Sequence, residues 1–285
     1  MAVKDILVHL DTSPRTDTWL SIAAGLAVKH GAHLTGLCVI DLPPPDVFYG
    51  FPSAFMDVQR AEDVIARMRE TRLQEIEAVE TKFRDRLRRD GLSGEWRVVE
   101  GDTAEVLALH TRYADLTVLG QPDPSAVEPN RYGQFSVSTL MSCGRPLLVV
   151  PFAGSFDDLG ANVLVGWNAS AEAARAVNEA IPLMQRATKV TVLSINPRRG
   201  INGDGDVPAA DMALHLARHG IRAEAAHTVA HDIPEGDALL SYAADIGADL
   251  LVCGMYGHSR LRELAFGGVT RSLLTEMTLP VFMMH

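Results

Sequence analysis

The chain carries an internal repeat, and this repeat limits its possible folds more than any other feature of the sequence. Residues 114–120 (ADLTVLG) align with residues 248–254 (ADLLVCG) at an offset of 134 positions, and the alignment continues without a gap to the end of each half. The halves also begin alike, because residues 6–13 (ILVHLDTS) correspond to residues 163–170 (VLVGWNAS) at an offset of 157. The sequence therefore predicts two related units, the first longer by about 23 residues (157 − 134).

Short runs of β-branched residues alternate with longer helical patterns in each half, as in βαβ units whose parallel sheet is covered on both faces. The predicted strands lie near 4–10, 34–40, 95–100, 115–119 and 146–150 in the first half, and near 162–167, 189–195, 222–228, 249–253 and 280–284 in the second. Turn-forming residues between Phe152 and Gly160 predict a linker. The expected fold is therefore α/β, with tandem domains at 1–152 and 160–285.

The additional residues of the first half form an insertion at residues 41–90, between its second and third strands. Prolines at 43–45 interrupt regular structure, and an amphipathic pattern then predicts one long helix. Its apolar positions are Ile65, Met68, Ile76, Val79, Phe83 and Leu87. We interpret this segment as a longer crossover helix with a surface loop in front of it; the alternative is a lid or an arm that binds a partner.

Charge and composition exclude several classes of protein. The 26 basic and 36 acidic residues give a formal net charge of −10, which disfavours a general nucleic-acid binder. No apolar run is long enough to span a membrane, and the N-terminus lacks a signal-peptide pattern, so we expect a cytoplasmic protein. Cys38, Cys143 and Cys253 are isolated and should be buried and free. His215 and His219 are expected to face solvent rather than bind metal.

A glycine-rich segment after the fourth strand of the second half is the strongest functional signal. It has the spacing G-x2-G-x9-G at Gly254, Gly257 and Gly267. Glycine permits positive φ and a close approach of phosphate oxygens to the main chain. The helix that follows would present backbone N–H groups to an anion at the carboxyl edge of the sheet, with the Thr270 hydroxyl in its first turn.

With this spacing and the opening of each half, the sequence resembles the universal stress protein family in a tandem, UspA-like form. The resemblance covers nearly the whole chain. It implies flavodoxin-like or Rossmann-like domains, each with a five-stranded parallel sheet of order 3-2-1-4-5. It also implies an adenine nucleotide as ligand: ATP, or else ADP or AMP, with or without Mg²⁺. The candidate nucleotide-binding residues are Gly166, Asn168, Ile195, Gly254, Tyr256, Gly257, His258, Gly267, Gly268, Val269 and Thr270.

The second half departs from the family pattern in ways that should weaken binding. Gly268 stands where the family has serine or threonine, so one side-chain hydroxyl is lost. Asn168 stands where binders in the family carry an aspartate beside the ribose. Trp167 either fills the adenine slot or packs beneath a helix on the opposite face, and strand alternation favours the second alternative.

The first half has lost most of the motif. Its counterparts of the three glycines are Gly120, Asp123 and Gly133, and Pro122 and Pro124 flank the aspartate. Two prolines remove two N–H donors, and a carboxylate repels phosphate. We therefore expect no triphosphate there, although the first half keeps a ribose-side carboxylate at position 11.

These features predict a stress-response regulator whose C-terminal half binds an adenine nucleotide. Its protein partner is not identified by the sequence, and the sequence is compatible with a monomer and with a homodimer. The alternative is a nucleotide-free interaction scaffold; a slow ATP hydrolase is a third interpretation, but no catalytic motif supports it. The pairs Gly101-Asp102 and His231-Asp232 follow the third strands, and we expect them to cap the next helices rather than to contact a ligand.

Overall fold

The structure is a computed structural model that describes residues 2–43, 58–122, 142–156, 159–197, 209–255 and 268–285; of residues 58–61 and 268 it describes the backbone only. The strands of the first half are β1 (Asp5–His9), β2 (His33–Ile40), β3 (Gly94–Glu100), β4 (Leu116–Gly120) and β5 (Leu147–Val150). Those of the second half are β6 (Asn162–Gly166), β7 (Lys189–Ile195), β8 (Ala223–Thr228), β9 (Leu250–Gly254) and β10 (Val281–Met284). The principal helices of the described ranges are α1 (Thr16–His30), α2 (Val58–Asp90), α3 (Thr103–His110), α4 (Ala171–Met184), α5 (Ala210–Arg218), α6 (Glu235–Asp245) and α7 (Gly268–Glu276).

The strands form one sheet in the order β3-β2-β1-β4-β5-β10-β9-β6-β7-β8. Each half therefore has the order 3-2-1-4-5 implied by the resemblance, and every predicted strand is present to within one residue at each end. Pairing is parallel except between β5 and β10, where Phe282 lies opposite Leu148. This antiparallel pair joins the two halves into a continuous ten-stranded sheet, so β5 and β10 cover one another within the chain.

The two largest apolar cores of the described residues lie on opposite faces of the sheet. Side chains of a strand alternate between its faces, so Val163 and Val165 belong to the first core and Leu164 to the second. Residues of α1, α2, α4 and α5 pack in the first core, and residues of α3, α6 and α7 pack in the second. Helices thus cover both faces, as the α/β class requires.

The long helix α2 confirms the predicted helix of the insertion. Its C-terminal part is held by Val79 and Phe83, which pack in the first core, and the Phe83 ring centroid lies 5.3 Å from that of Trp96. Residues 62–72 are exposed apart from a half-buried residue 65. The proline-rich residues 44–57, on which the lid alternative depends, lie outside the described residues.

Aspartates at equivalent positions of the repeat anchor the first strand of each half. Asp249 accepts hydrogen bonds from the backbone N–H groups of Gly160 (2.6 Å), Ala161 (3.0 Å) and Asn162 (2.8 Å). Asp115 accepts from those of Lys4 (2.8 Å) and Asp5 (3.2 Å). The Ala-Asp-Leu segments that revealed the repeat therefore fix where β1 and β6 begin.

The three cysteines are buried, as expected, and within the described residues none of them forms a disulfide bond. Burial raises the pKa of the Cys38 and Cys253 thiols to about 12, so both remain protonated at neutral pH. Within the described parts of the chain, no helix has the length and apolar character needed to cross a bilayer.

Candidate functional site

The described candidate residues of the second half lie at the carboxyl edge of the sheet. Strand β6 lies between β9 and β7, so their C-terminal ends are neighbours. Asn168 follows β6, Ile195 ends β7, and Gly254 ends β9. Helix α7 leads from this edge back towards β10, so its first turn lies there as well. Tyr256, Gly257, His258 and Gly267 lie outside the described residues.

Gly254 has a packing role at the end of β9 that the sequence analysis did not anticipate. The prediction of a positive φ at this residue is wrong, since Gly254 is extended backbone at the end of β9. A Cβ at Gly254 would lie 2.4 Å from the backbone nitrogen of Ala173 and 2.7 Å from the carbonyl carbon of Glu172. Glycine is therefore required here because helix α4 packs directly against the strand end.

Trp167 lies on the opposite face of the sheet from two of the candidate nucleotide-binding residues, Ile195 and Val269. Trp167 packs against the first core, whereas Ile195 and Val269 pack against the second. A Cβ at Gly166 would lie 3.1 Å from Leu239 Cδ2, so the strand alternates as expected between Gly166 and Trp167. The indole therefore packs on the side of α4, away from Ile195, which confirms the second of the two alternatives for Trp167.

Asn168 begins the turn that leads into helix α4. Its Oδ1 accepts a hydrogen bond from the backbone N–H of Ser170 at 3.1 Å, and the Ser170 hydroxyl accepts one from the N–H of Ala173 at 3.1 Å. The second contact is the N-cap of α4. Asn168 is exposed, and within the described residues its Nδ2 has no hydrogen-bond partner. The amide can therefore donate to a ligand at this edge.

The first turn of α7 supplies the other polar groups of the site. Thr270 is only 6% exposed, yet no described residue forms a hydrogen bond with its hydroxyl. The first four N–H groups of an α-helix have no partner within the helix, and the helix dipole adds a partial positive charge. Helix α7 is fixed beside α6, because Ser272 Oγ donates to Asp237 Oδ1 at 2.7 Å. The Thr270 hydroxyl and the backbone N–H groups of the first described turn of α7 thus lie at one end of the helix.

In the first half, the polar groups at the same edge already have partners within the chain. Asp11 Oδ1 accepts from the N–H of Ser13 at 2.9 Å and from the Thr16 hydroxyl at 3.0 Å. Arg72 of α2 reaches the edge, with its Nη1 3.4 Å from Thr12 Oγ1. A Cβ at Gly120 would overlap the Trp19 indole. Positions 123 and 133 lie outside the described residues.

The two pairs that follow the third strands behave differently. Asp102 accepts from the N–H of Glu105 at 2.9 Å and caps α3, as predicted. The prediction for His231 and Asp232 is wrong, because Pro234 occupies the N-cap of α6 and no side chain caps that helix. His231 and Asp232 instead line an open groove of about 340 Å³ beside the edge strand β8.

Asn196 is a structural residue at this edge that the sequence analysis missed. It adopts a positive φ of 49°, and its side chain joins the ends of β7 and β8. Asn196 Nδ2 donates to the Ala230 carbonyl at 3.0 Å, and Asn196 Oδ1 accepts from the Ala230 N–H at 2.8 Å. An asparagine directly after a buried strand was the available signal, since asparagine tolerates the left-handed conformation.

The paired histidines contact each other and a neighbouring helix. The ring centroids of His215 and His219 are 4.7 Å apart, and His215 Nε2 lies 3.1 Å from Asn178 Oδ1. Within the described ranges, no three histidine, cysteine, aspartate or glutamate residues are grouped so that they could hold a metal ion.

Both halves of the chain match the sequence model of the universal stress protein family, at residues 2–151 and 161–285. No curated protein is significantly similar in sequence. A universal stress protein from Archaeoglobus fulgidus DSM 4304 is 14% identical, with 98% of this chain and 96% of that chain covered and a TM-score of 0.69. A functionally unknown protein from Pseudomonas aeruginosa PAO1 is 13% identical, with 99% and 92% covered and a TM-score of 0.60. At these identities the likeness shows the fold alone.

Proposed function

The chain belongs to the universal stress protein family, and we propose that its C-terminal half binds ATP or a related adenine nucleotide at the carboxyl edge of the sheet. The observation that carries this proposal is Thr270. Only 6% of this residue is exposed, and within the described residues its hydroxyl has no hydrogen-bond partner, so the hydroxyl is able to donate to a ligand. A phosphate oxygen at the start of α7 would accept its hydrogen bond together with those of the free amides.

The remaining groups fit the other parts of a nucleotide. The Asn168 amide is a free donor next to the end of β6, in position for a ribose hydroxyl. Ile195 and Val269 are partly buried apolar residues against the second core and offer contact area to a base. Trp167 does not compete for this space, because it packs on the other face.

The strength of phosphate binding depends on main-chain donors. Gly268 has no hydroxyl, so α7 loses one side-chain hydrogen bond, which contributes about 1 kcal/mol or somewhat more to a charged acceptor. Thr270 supplies a hydroxyl two residues further along the helix. The N-terminal half is not expected to bind a triphosphate, because Pro122 and Pro124 have no backbone N–H to donate and the carboxylate at position 123 would repel a phosphate.

Nucleotide occupancy acts as a signal rather than as a step in a reaction. A ligand changes a conformational equilibrium only through its different affinities for the two states. The helix that would receive the phosphate is packed against α6 by the Ser272–Asp237 hydrogen bond. Occupancy therefore stabilises one arrangement of α6 and α7, and a protein partner that recognises this pair of helices distinguishes the bound form from the free form.

Titration calorimetry with ATP, with and without Mg²⁺, tests this function. Thr270→Val keeps the shape of the side chain and removes the hydroxyl, so we expect an affinity about five- to tenfold lower. Thr275→Val is the matched control, because Thr275 is exposed on the same helix and its hydroxyl donates to the Arg271 carbonyl at 2.8 Å. This control should bind ATP as the unchanged protein does.

Two further results complete the test. Chromatography of the supernatant after denaturation should reveal an adenine nucleotide that copurifies with the chain. From the motif spacing, Gly257→Asp should abolish binding and Asp123→Gly should leave it unchanged. Absence of both heat and copurified nucleotide would instead support the nucleotide-free scaffold.

A further inference from the structure

Gln121 of the first half is bonded to the helix that we assign to phosphate binding in the second half. Its side chain is buried, with 6% exposure. Gln121 Oε1 accepts from the N–H of Phe152 at 2.9 Å, which fixes the orientation of the amide. Gln121 Nε2 donates to the carbonyls of Leu274 (2.8 Å) and Thr275 (3.0 Å) in the last turn of α7.

These contacts fix the C-terminal end of α7. The last four carbonyls of an α-helix have no partner within the helix, and a buried carbonyl without a partner is destabilising. Within the described residues, no other side chain donates to the carbonyls of Leu274 and Thr275. Near its other end, α7 is bonded to α6 through Ser272 and Asp237. Among the described residues, the helix thus has one polar attachment within its own half and one to the other half.

The backbone hydrogen bonding at position 121 does not require a glutamine side chain. At the offset of 134, its counterpart in the second half is Met255, which is 1% exposed and has no N–H donor in its side chain. The backbone contacts of the two residues are alike: Gln121 N–H donates to Val150 O at 2.7 Å and Met255 N–H donates to Met284 O at 2.8 Å. The side-chain amide of Gln121 therefore contributes to the contact between the two halves and not to the local backbone structure.

We infer that Gln121 is a positioning residue for the nucleotide site of the C-terminal half, so that this site depends on the N-terminal half. The inference rests on the proposed function. Helix α7 has nine residues and is about 14 Å long, so a tilt at its C-terminal end moves its first turn. The Thr270 hydroxyl and the first amides must hold their places to meet a phosphate, and Gln121 restrains the far end of the helix that carries them.

Gln121→Met in the full-length chain is the decisive variant, because methionine is similar in size and is the residue at the duplicated position. We expect the affinity for ATP to fall about tenfold, a typical size for coupling between two sites. The affinity for adenosine, which has no phosphate, should stay the same in displacement assays with a fluorescent ATP analogue. Without ligand, hydrogen exchange at residues 268–276 should be faster than in the unchanged protein.

Gln185→Met is the control. Gln185 Nε2 also donates to a carbonyl at a helix end, that of His219 at 3.4 Å, but both residues are far from α7 in sequence. It should change neither ATP affinity nor exchange at 268–276. Equal losses of ATP and adenosine affinity in Gln121→Met would overturn the inference, as would unchanged ATP affinity or unchanged exchange. If the unchanged protein binds no ATP, the proposed function fails first and the inference fails with it.

Discussion

At the scale of single residues, Gly254 shows how a motif position can be required by packing. A Cβ at this residue would lie 2.4 Å from the nitrogen of Ala173, and a backbone atom within a helix cannot move aside. We expect Gly254→Ala to lower the free energy of unfolding by about 1–3 kcal/mol with no nucleotide present, as over-packing does. Urea denaturation measures the change.

Gly25→Ala is the control for this prediction. Nothing lies within 4 Å of a Cβ at Gly25, and the residue is inside α1. Alanine should be neutral there or stabilise the protein by up to about 1 kcal/mol. If Gly254→Ala unfolds at the same urea concentration as the unchanged protein but binds ATP less well, the glycine is needed for phosphate approach and the packing explanation is wrong.

His9 gives the stability of the protein a defined dependence on pH. It is 5% exposed, and burial lowers its pKa from 6.5, although the nearby Asp11 carboxylate acts in the opposite direction. The unfolded chain therefore binds a proton at this residue more readily than the folded chain. The contribution of neutral His9 to stability is complete above pH 6.5 and is lost as the pH falls towards the lowered pKa.

His9→Leu should therefore make the free energy of unfolding less dependent on pH between pH 7 and pH 5, as measured by urea denaturation at each pH. Some dependence should remain, because burial also lowers the pKa values of His30 and His110. His227→Leu replaces an exposed histidine and should leave the slope as it is. A slope that His9→Leu does not reduce would show that another group controls acid stability.

The sequence predicted residues whose role is local and missed those whose partners are distant. The strand ends and the Asp102 cap follow from patterns within a few residues. The repeat also aligned Asp115 with Asp249, but their bonds to the starts of β1 and β6 appear only in the folded chain. Gln121 and Leu274 are 153 residues apart, and no local pattern connects them. Burial of Thr270 likewise follows from the packing of α7 and not from its spacing in the motif.

At the scale of elements, α2 divides into a packed part and an exposed part. Phe83 is fully buried in the first core beside Trp96, whereas Met68 is 39% exposed near the start of the helix. Arg69 forms an ion pair with Glu100 at 2.8 Å, but both side chains are half exposed, so this pair contributes little to stability. The packing of the C-terminal part therefore determines whether α2 stays docked.

Paired alanine variants test this division of α2. Phe83→Ala should lower the free energy of unfolding by about 3–5 kcal/mol, the usual effect of removing a buried phenylalanine ring. Met68→Ala should change it by less than about 0.5 kcal/mol, as expected for an exposed position. Thermal and urea denaturation measure both changes. A large loss with Met68→Ala would mean that residues 62–72 are covered in solution by something that binds them.

At the scale of the whole molecule, the two halves share one sheet and both cores. Leu148 of β5 and Phe282 of β10 face each other in the antiparallel pair, and both are almost fully buried in the first core. The second core likewise joins Val149 of the first half to Val281 of the second. Neither half can unfold without exposing apolar surface of the other, so the halves should unfold together.

Tryptophan fluorescence can follow each half separately, because Trp19 and Trp96 belong to the first half and Trp167 to the second. One double variant, Trp19→Phe with Trp167→Phe, leaves Trp96 as the probe; the other, Trp19→Phe with Trp96→Phe, leaves Trp167. Far-ultraviolet circular dichroism of each variant records the unfolding of the whole chain. If the sheet is one cooperative unit, fluorescence and circular dichroism give the same urea midpoint within each variant. A Trp96 signal that changes at a lower urea concentration than the circular dichroism would show that the first half unfolds alone, and that the β5–β10 pair is too weak to couple the halves.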